Sequence, residues 1–343
     1  MQTRRDVLKV GALALTGSVA GPFVVTPSRA QATTLKMQGF LPAASPTHRA
    51  FEKFAADLKQ KSGDRLTIQI LPVGGAVGPA ETINAVQAGI LDGHYSSSSF
   101  FAARDPGFTV FGDTGASYDD VDTRDRWYRE GGGEDLGREL YAGFNMHYVA
   151  NVFWPSEHIP ARRALNGVDD LKNLKIRVPP GMISEIFGMA GSAVVNLPAG
   201  EVFNSLQSGV IDATDWASPG QNMEVGLYRA AKFSINASHS MPATEIAFSK
   251  RRWDAMPAEM RQLIEAEARA MSAALKDQIR RDDDAAVEKM KGDGVQVVTW
   301  SRDEVGKLRA LTSKKQDELA GRGAMAKKIV ESHRAFQKKL GIG

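Results

Sequence analysis

The chain of 343 residues contains no cysteine. That excludes disulfides, thiolate metal sites, a catalytic thiol and a lipid-anchoring cysteine. Histidine is scarce. His48, His94, His147, His158, His239 and His333 are scattered, no two stand at i and i+4, and there is no His-Glu-x-x-His. A Gly-x-Ser-x-Gly elbow and a dinucleotide fingerprint are also missing. Two glycine-rich runs, Gly74-Gly75-Ala76-Val77-Gly78 and Gly131-Gly132-Gly133, lack the Lys-Ser/Thr of a phosphate loop. An enzyme reading therefore rests on nothing positive. Its remaining form is an exported periplasmic enzyme whose flavin or molybdenum cofactor is held without a short motif.

The basic excess is also missing once the N-terminus is set aside. Thr3-Arg4-Arg5-Asp6-Val7-Leu8-Lys9 precedes an apolar run over 10–20, and Ala30-Gln31-Ala32 offers a small-x-small cleavage site. This pattern predicts a signal peptide over 1–32, too short and too weakly apolar for a membrane anchor. The paired arginines predict the twin-arginine route. Arg4, Arg5, Lys9 and Arg29 against Asp6 account for the whole formal net charge of +3. The remainder is near neutral, which removes the charge argument for nucleic acid or an anionic membrane as partner. The expected compartment is the periplasm.

What remains is 43% hydrophobic and 24% charged, ordinary globular composition for about two domains. Residues 35–40 and 66–71 alternate as strands. Residues 48–61 carry Phe51, Phe54, Ala55 and Leu58 at helical spacing. A short helix over 81–88 ends at Gly89, and Ile90-Leu91-Asp92 opens a third strand. This β-α-β-α-β order predicts a mainly parallel sheet with helices on its faces. Residues 122–140 read as helix broken at the glycine triplet, 147–152 as strand, and 233–248 as a strand returning across the lobes. Residues 257–290 read as one long helix, with Asp282-Asp283-Asp284 on a solvated face. A short strand over 295–298 and amphipathic helices over 304–340 complete the chain.

One segment repeats. Residues 81–93 read ETINAVQAGILDG and residues 201–213 read EVFNSLQSGVIDA. Glu, Asn, Gln, Gly and Asp coincide. The pattern predicts two related α/β lobes, and a cleft between lobes is a favoured small-molecule site. In the second lobe Leu174, Ile176 and Val178 alternate with Lys175 and Arg177, and Pro179-Pro180 stops that strand. Arg177 is thereby placed near the strand's carboxyl end, where ligands sit in open α/β sheets and where a guanidinium can hold a carboxylate with two hydrogen bonds.

Leu171-Lys172-Asn173-Leu174-Lys175-Ile176-Arg177, Asn196-Leu197-Pro198-Ala199-Gly200-Glu201, Leu206-Gln207-Ser208-Gly209, Ile211-Asp212-Ala213-Thr214-Asp215-Trp216 and Gly226-Leu227-Tyr228 together carry a family likeness. With Phe40-Leu41-Pro42, Thr47-His48, Asp105-Pro106 and Gly131-Gly132-Gly133-Glu134-Asp135-Leu136, it covers essentially the whole chain after the leader. The chain resembles the solute receptors of tripartite ATP-independent periplasmic (TRAP) transporters.

The resemblance implies a two-lobed α/β fold like that of periplasmic binding proteins, with a central ligand cleft and a long helix spanning both lobes. The expected boundaries are lobe I over 33–153 with return segments from the C-terminal half, lobe II over 154–245, and lobe-spanning and C-terminal helices over 246–343. It implies no catalysis, but delivery of a small organic acid to TRAP membrane subunits, and it leaves a homodimer open. Arg177 is expected to bind the ligand carboxylate. Asp215-Trp216 resembles the acidic-Trp pair of the branch that binds 2-oxo and 2-hydroxy monocarboxylates through a bridging cation, calcium or sodium. Asp215 and Trp216 would hold that ion. Glu157, in Ser156-Glu157-His158, stands where the branch usually has a glutamine-containing run and is a further candidate ion ligand, with a solvent-facing role as its alternative. Phe100 replaces a tyrosine and joins Trp216 as an apolar wall, and Asn196 is a further polar candidate. A branched or aromatic acid is as compatible as pyruvate. A dicarboxylate or sugar acid is the alternative ligand.

Overall fold

The computed structural model describes residues 32–342. The expected twin-arginine leader lies outside the described residues, Ala32 excepted. Eleven strands occur among them: Thr33–Gly39 (β1), Leu66–Leu71 (β2), Gly93–Ser96 (β3), Met146–Val152 (β4), Ile159–Ala161 (β5), Lys175–Arg177 (β6), Ala193–Val195 (β7), Ala213–Thr214 (β8), Phe233–Asn236 (β9), Thr244–Ser249 (β10) and Gln296–Thr299 (β11). They form two sheets, with orders β2-β1-β3-β10-β4 and β11-β9-β5-β8-β6-β7.

Each sheet has the same heart. In the first, β1 pairs in parallel with β2 and β3. In the second, β6 pairs in parallel with β7 and β8. One antiparallel strand then follows in each, β10 beside β3 and β5 beside β8. The chain passes from the first sheet to the second between β4 and β5, and returns between β9 and β10. The segment expected as one strand over 233–248 is thus two strands in different sheets, with 237–243 as the crossing between them.

The helix Pro46–Lys61 shows how locally the elements are specified. The Ser45 side chain accepts from the His48 amide, Pro46 fills the first turn, and Phe51, Phe54, Ala55 and Leu58 are buried along one face. A buried side chain of this kind contributes about 1.5–3 kcal/mol. Those residues share a core with Leu35, Ile68 and Tyr95 of the first sheet and with Met260, Ile264, Ala268, Met271, Leu275 and Ile279 of the helix Ala258–Gly292. That helix has 35 residues. It runs for about 52 Å at 1.5 Å per residue. Its far end packs Met290 against Tyr228 and Val295 of the other lobe, so it spans both.

The aspartate triplet is not simply a solvated face. Asp283 Oδ1 accepts from Ser218 Oγ at 2.6 Å and from the Gly220 amide at 2.8 Å. The long helix therefore grips the segment just after Trp216. The strand expected to open at Ile90 begins instead at Gly93. Gly89 is left-handed at φ +74°, and the residues after it are spent on the turn.

Candidate functional site

Four parallel strands end on one cavity of about 560 Å³. The loop after β1 gives Phe40, Leu41 and Pro42. That after β3 gives Ser97, Ser99 and Phe100. Residues after β6 give Pro179 to Ile183, and those after β8 give Asp215, Trp216 and Ala217. The two crossings add Trp154 and Glu157 from one and Ser240 and Pro242 from the other. The carboxyl ends of strands on both lobes face one space, the usual address of a ligand in α/β sheets.

One buried arginine ties the crossings together. Arg124 Nη1 donates to the carbonyls of Met241, at 3.1 Å, and Pro242, while its Nη2 donates to the Trp154 carbonyl at 2.9 Å. Its Nε lies 2.9 Å from Asp125 Oδ1.

The polar floor of the cavity is acidic. Glu157 is 9% exposed and Asp215 3%, so Glu157 does not take the solvent-facing alternative. Ser240 Oγ lies 2.8 Å from both Asp113 Oδ2 and Glu157 Oε2. A hydroxyl has one proton and can donate to only one of them. Asp113 Oδ1 also accepts from the Gly115 and Met241 amides, at 2.8 and 3.1 Å. Burial, then the nearby Asp215 and Asp113 charges, hold the Glu157 carboxyl well above the usual carboxylate range. Burial likewise raises Asp113, against the pull of its hydrogen bonds. These carboxylates are short of positive charge.

Asp215 meets a residue that spacing did not reveal. His239, from the crossing 237–243, places Nε2 2.8 Å from Asp215 Oδ1. Glu157, Asp215 and His239 each offer a donor atom within 4.8 Å of the others. Two carboxylates and an imidazole are a competent donor set for a cation. No motif could have found this group, because its members come from both crossings and from the end of β8. Asp113 escaped notice for the same reason.

Arg177 ends β6, as its sequence pattern predicts, but it is not one of the lining residues. Its guanidinium lies 5.2 Å from the centre of the Trp216 ring, and its Nη1 donates to the Asp215 carbonyl at 3.0 Å. Its Nε is buried without a partner among the described residues. Burial lowers its pKa, with Asp215 and Glu157 opposing. Trp216 and Phe100 both line the cavity. Phe40 stands 5.8 Å from Phe100 and 5.7 Å from Trp154, ring centre to ring centre, so three aromatic rings form one wall. Asn196 is a correction. It is exposed just after β7 and lies outside the lining, because the turn into Pro198 carries it to the surface.

Comparison with known proteins agrees with this architecture. Residues 37–321 match the DctP model, described as bacterial extracellular solute-binding protein, family 7. A solved TRAP periplasmic solute-binding protein of Rhodobacter sphaeroides, in an apo open form, is 31% identical, with a TM-score of 0.81 over 90% of this chain and 99% of that one. A monocarboxylate 2-oxoacid-binding periplasmic protein of Nostoc sp. is 23% identical over 98% of this chain and 94% of its own length. A Colwellia psychrerythraea TRAP receptor structure with bound calcium and pyruvate has 20% identity and a TM-score of 0.78, covering 90% of this chain and 95% of that one. Among the described residues no helix is long and apolar enough to cross a membrane. The chain belongs to the family 7 extracellular solute-binding proteins: it is a periplasmic receptor of the TRAP class, not an enzyme.

Proposed function

We propose that this receptor takes a 2-oxo or 2-hydroxy monocarboxylate with a branched or aromatic side chain, held across a cation by Glu157 and Asp215 and clamped at its carboxylate by Arg177. The observation that carries this reading is the charge of the lining. Among the described residues Asp113, Glu157, Asp215 and Glu224 face the cavity and no Lys, Arg or His does. An organic anion brought against them would be repelled, by about 4 kcal/mol for a charge pair 4 Å apart at an effective dielectric of 20. A bound cation removes that cost and offers a chelating centre to the carboxylate and the 2-oxygen. Glu157 and Asp215 would hold it, beside the Trp216 carbonyl, and calcium or sodium has the oxygen preference this needs. The Nostoc relative's name and the Colwellia complex support the same ligand class.

Arg177 has donors to spare, its Nε included, once a carboxylate comes within reach of the Trp216 ring. The remaining wall is Phe40, Leu41, Phe100, Trp154, Met182 and Ile183, which suits an apolar side chain. A sugar acid would leave hydroxyls against that wall without partners, and a dicarboxylate would leave a second charge there, each at a desolvation cost.

A thermal-shift series tests the reading. Pyruvate, 2-oxoisovalerate and phenylpyruvate are compared with dicarboxylates, with and without chelator. Saturation at about 100 times the dissociation constant adds roughly 2.7 kcal/mol, several degrees in the midpoint. The branched or aromatic 2-oxo acids should give the largest shift, and chelation or Asp215→Asn should abolish it. A response confined to dicarboxylates, or one indifferent to both chelator and Asp215→Asn, would sink the reading.

A further inference from the structure

One wall of the cavity is a single stretch of chain. Residues 215–225 supply Asp215, Trp216, Ala217, Gln221, Glu224 and Val225 to the lining. The start of the stretch is tied to β6, where the Asp215 amide donates to the Arg177 carbonyl at 2.8 Å and Arg177 Nη1 donates back to the Asp215 carbonyl. The rest is the helix Pro219–Glu224. Asn222 on that helix is fully buried, accepts from the Ala217 amide at 3.0 Å and donates to the Ala217 carbonyl at 2.8 Å. The backbone beside Trp216 therefore follows wherever this short helix is put.

Asp283 of the long helix puts it there, from outside the lining. Its Oδ1 takes both the Ser218 hydroxyl and the Gly220 amide. The approach is close: a Cβ on Gly220 would fall 3.0 Å from that Oδ1 and 3.3 Å from the Asp282 carbonyl oxygen. Burial and the charges of Asp282 and Asp284 raise the Asp283 carboxyl, while the bonds to Ser218 and Gly220 oppose them. A carboxylate fully open to water would not carry that burial cost.

The same helix face is anchored in the first lobe. Lys276, Arg280 and Asp283 stand at i, i+4 and i+7, one stripe of a helix. Lys276 and Arg280 both hold Asp122, Arg280 Nη2 at 2.7 Å. Asp122 opens the helix Val121–Glu130, which also carries Arg124, the residue that ties the crossings. About 10 Å of rigid helix, seven residues at 1.5 Å each, separates the two grips.

We propose that Asp283 is a positioning residue for ligand binding: it sets the 217–225 wall, and through it Trp216 and Asp215, at a fixed distance from the first lobe. This rests on the reading that a 2-oxo acid sits against Trp216 and Arg177. Asp283 touches neither ligand nor ion and acts only through Ser218 and Gly220.

The test is calorimetric titration of the full receptor with phenylpyruvate in calcium, beside hydrogen exchange of residues 217–225 without ligand. Asp283→Ala should weaken phenylpyruvate about 10-fold, the loss typical when support behind a binding group is removed. It should also speed exchange at the Gly220 amide. Asp283→Asn keeps the Oδ1 acceptor for both donors and should restore affinity to within about twofold and exchange to the wild-type rate. Asp284→Asn, which removes the same charge next door, should change neither. Wild-type affinity in Asp283→Ala with a lowered melting midpoint would overturn the inference, leaving a tie that serves stability alone. An Asn variant as weak as the Ala variant would overturn it too, since charge and not the grip would be at work. If the wild-type protein binds neither phenylpyruvate nor 2-oxoisovalerate, the ligand reading falls by itself. Exchange then decides the grip, and equal rates in wild type and Asp283→Ala would overturn it.

Discussion

The two lobes use one scaffold for opposite ends. Asp92 and Asp212 make the same contacts. The Asp92 amide donates to the Lys36 carbonyl at 2.7 Å while its carboxylate accepts from the Lys36 amide at 2.8 Å. The Asp212 amide donates to the Lys175 carbonyl at 2.7 Å, and its carboxylate accepts from the Lys175 amide at 3.1 Å. Gly89 and Gly209 are both left-handed, at φ +74° and +79°. From these anchors the register carries Gln38 onto the place of Arg177, Gly39 onto that of Val178 and Tyr95 onto that of Asp215. In the first lobe Gln38 spends itself on its own loop, accepting from the Ala76 and Val77 amides and donating to the Val77 carbonyl. Tyr95 is fully buried and stacks on Phe51 at 3.8 Å. In the second lobe the same two positions hold a guanidinium with an unspent donor and a carboxylate at the cavity. One lobe therefore closes its strand ends into a wall, and the other leaves charge at them.

Arg177→Gln makes the second lobe copy the first, and it should give the largest effect. Affinity for the organic acid should fall by about 2–5 kcal/mol, read by calorimetry, because a charge partner is removed from a partly desolvated site. Unchanged affinity would mean that the two positions differ in name only.

Gly39→Ala attacks the wall. A Cβ there would fall 1.9 Å from a ring carbon of Tyr95, and Tyr95 is held by Phe51 and His48. Stability should drop by about 3 kcal/mol in urea unfolding. Val178→Ala at the matching place removes atoms without a clash and should cost less.

Glu245 gives the smallest effect and sharpens the contrast in charge. It lies on β10 in the first sheet, accepts from Tyr141 Oη at 2.6 Å, and burial holds its carboxyl well above the usual range. The folded protein keeps this proton above pH 4.5, where the unfolded chain has released it. The associated stability is present below that pH and is lost as pH rises, by about 1.4 kcal/mol for each unit of the window. Glu245→Gln should flatten this part of the pH profile without touching ligand affinity. A profile identical to that of the wild-type protein would show that the group titrates normally.

Much of the scaffold was legible because it is local. Alternation, helical spacing, glycine caps and the repeated ETINAVQAGILDG-like segment each report on fewer than fifteen or so consecutive residues. The same holds for Arg177 at its strand end and for Trp216 and Phe100 at the cavity. The site's acid-imidazole group was not legible. Glu157 and His239 lie on separate crossings, Asp113 follows a helix of the first lobe, and nothing in their own neighbourhoods marks them. Asn196 misled because a residue just after a strand was assumed to face inward. Asp283 misled because a run of three aspartates looks solvated, whereas one of them is turned onto Ser218 and Gly220 by its place on the long helix.

The position of β10 carries one further consequence, for how the chain can be made and cut. It lies between β3 and β4, in the interior of the first sheet. Until residue 249 has been synthesised, that sheet consists of two pieces with a missing middle, whereas the second sheet awaits only the edge strand β11. The lobe whose sequence comes first is therefore the lobe that waits for its centre. No fragment cut between the lobes can reproduce either of them, and a polypeptide arrested before Thr244 presents two unpaired strand edges to whatever chaperone holds it.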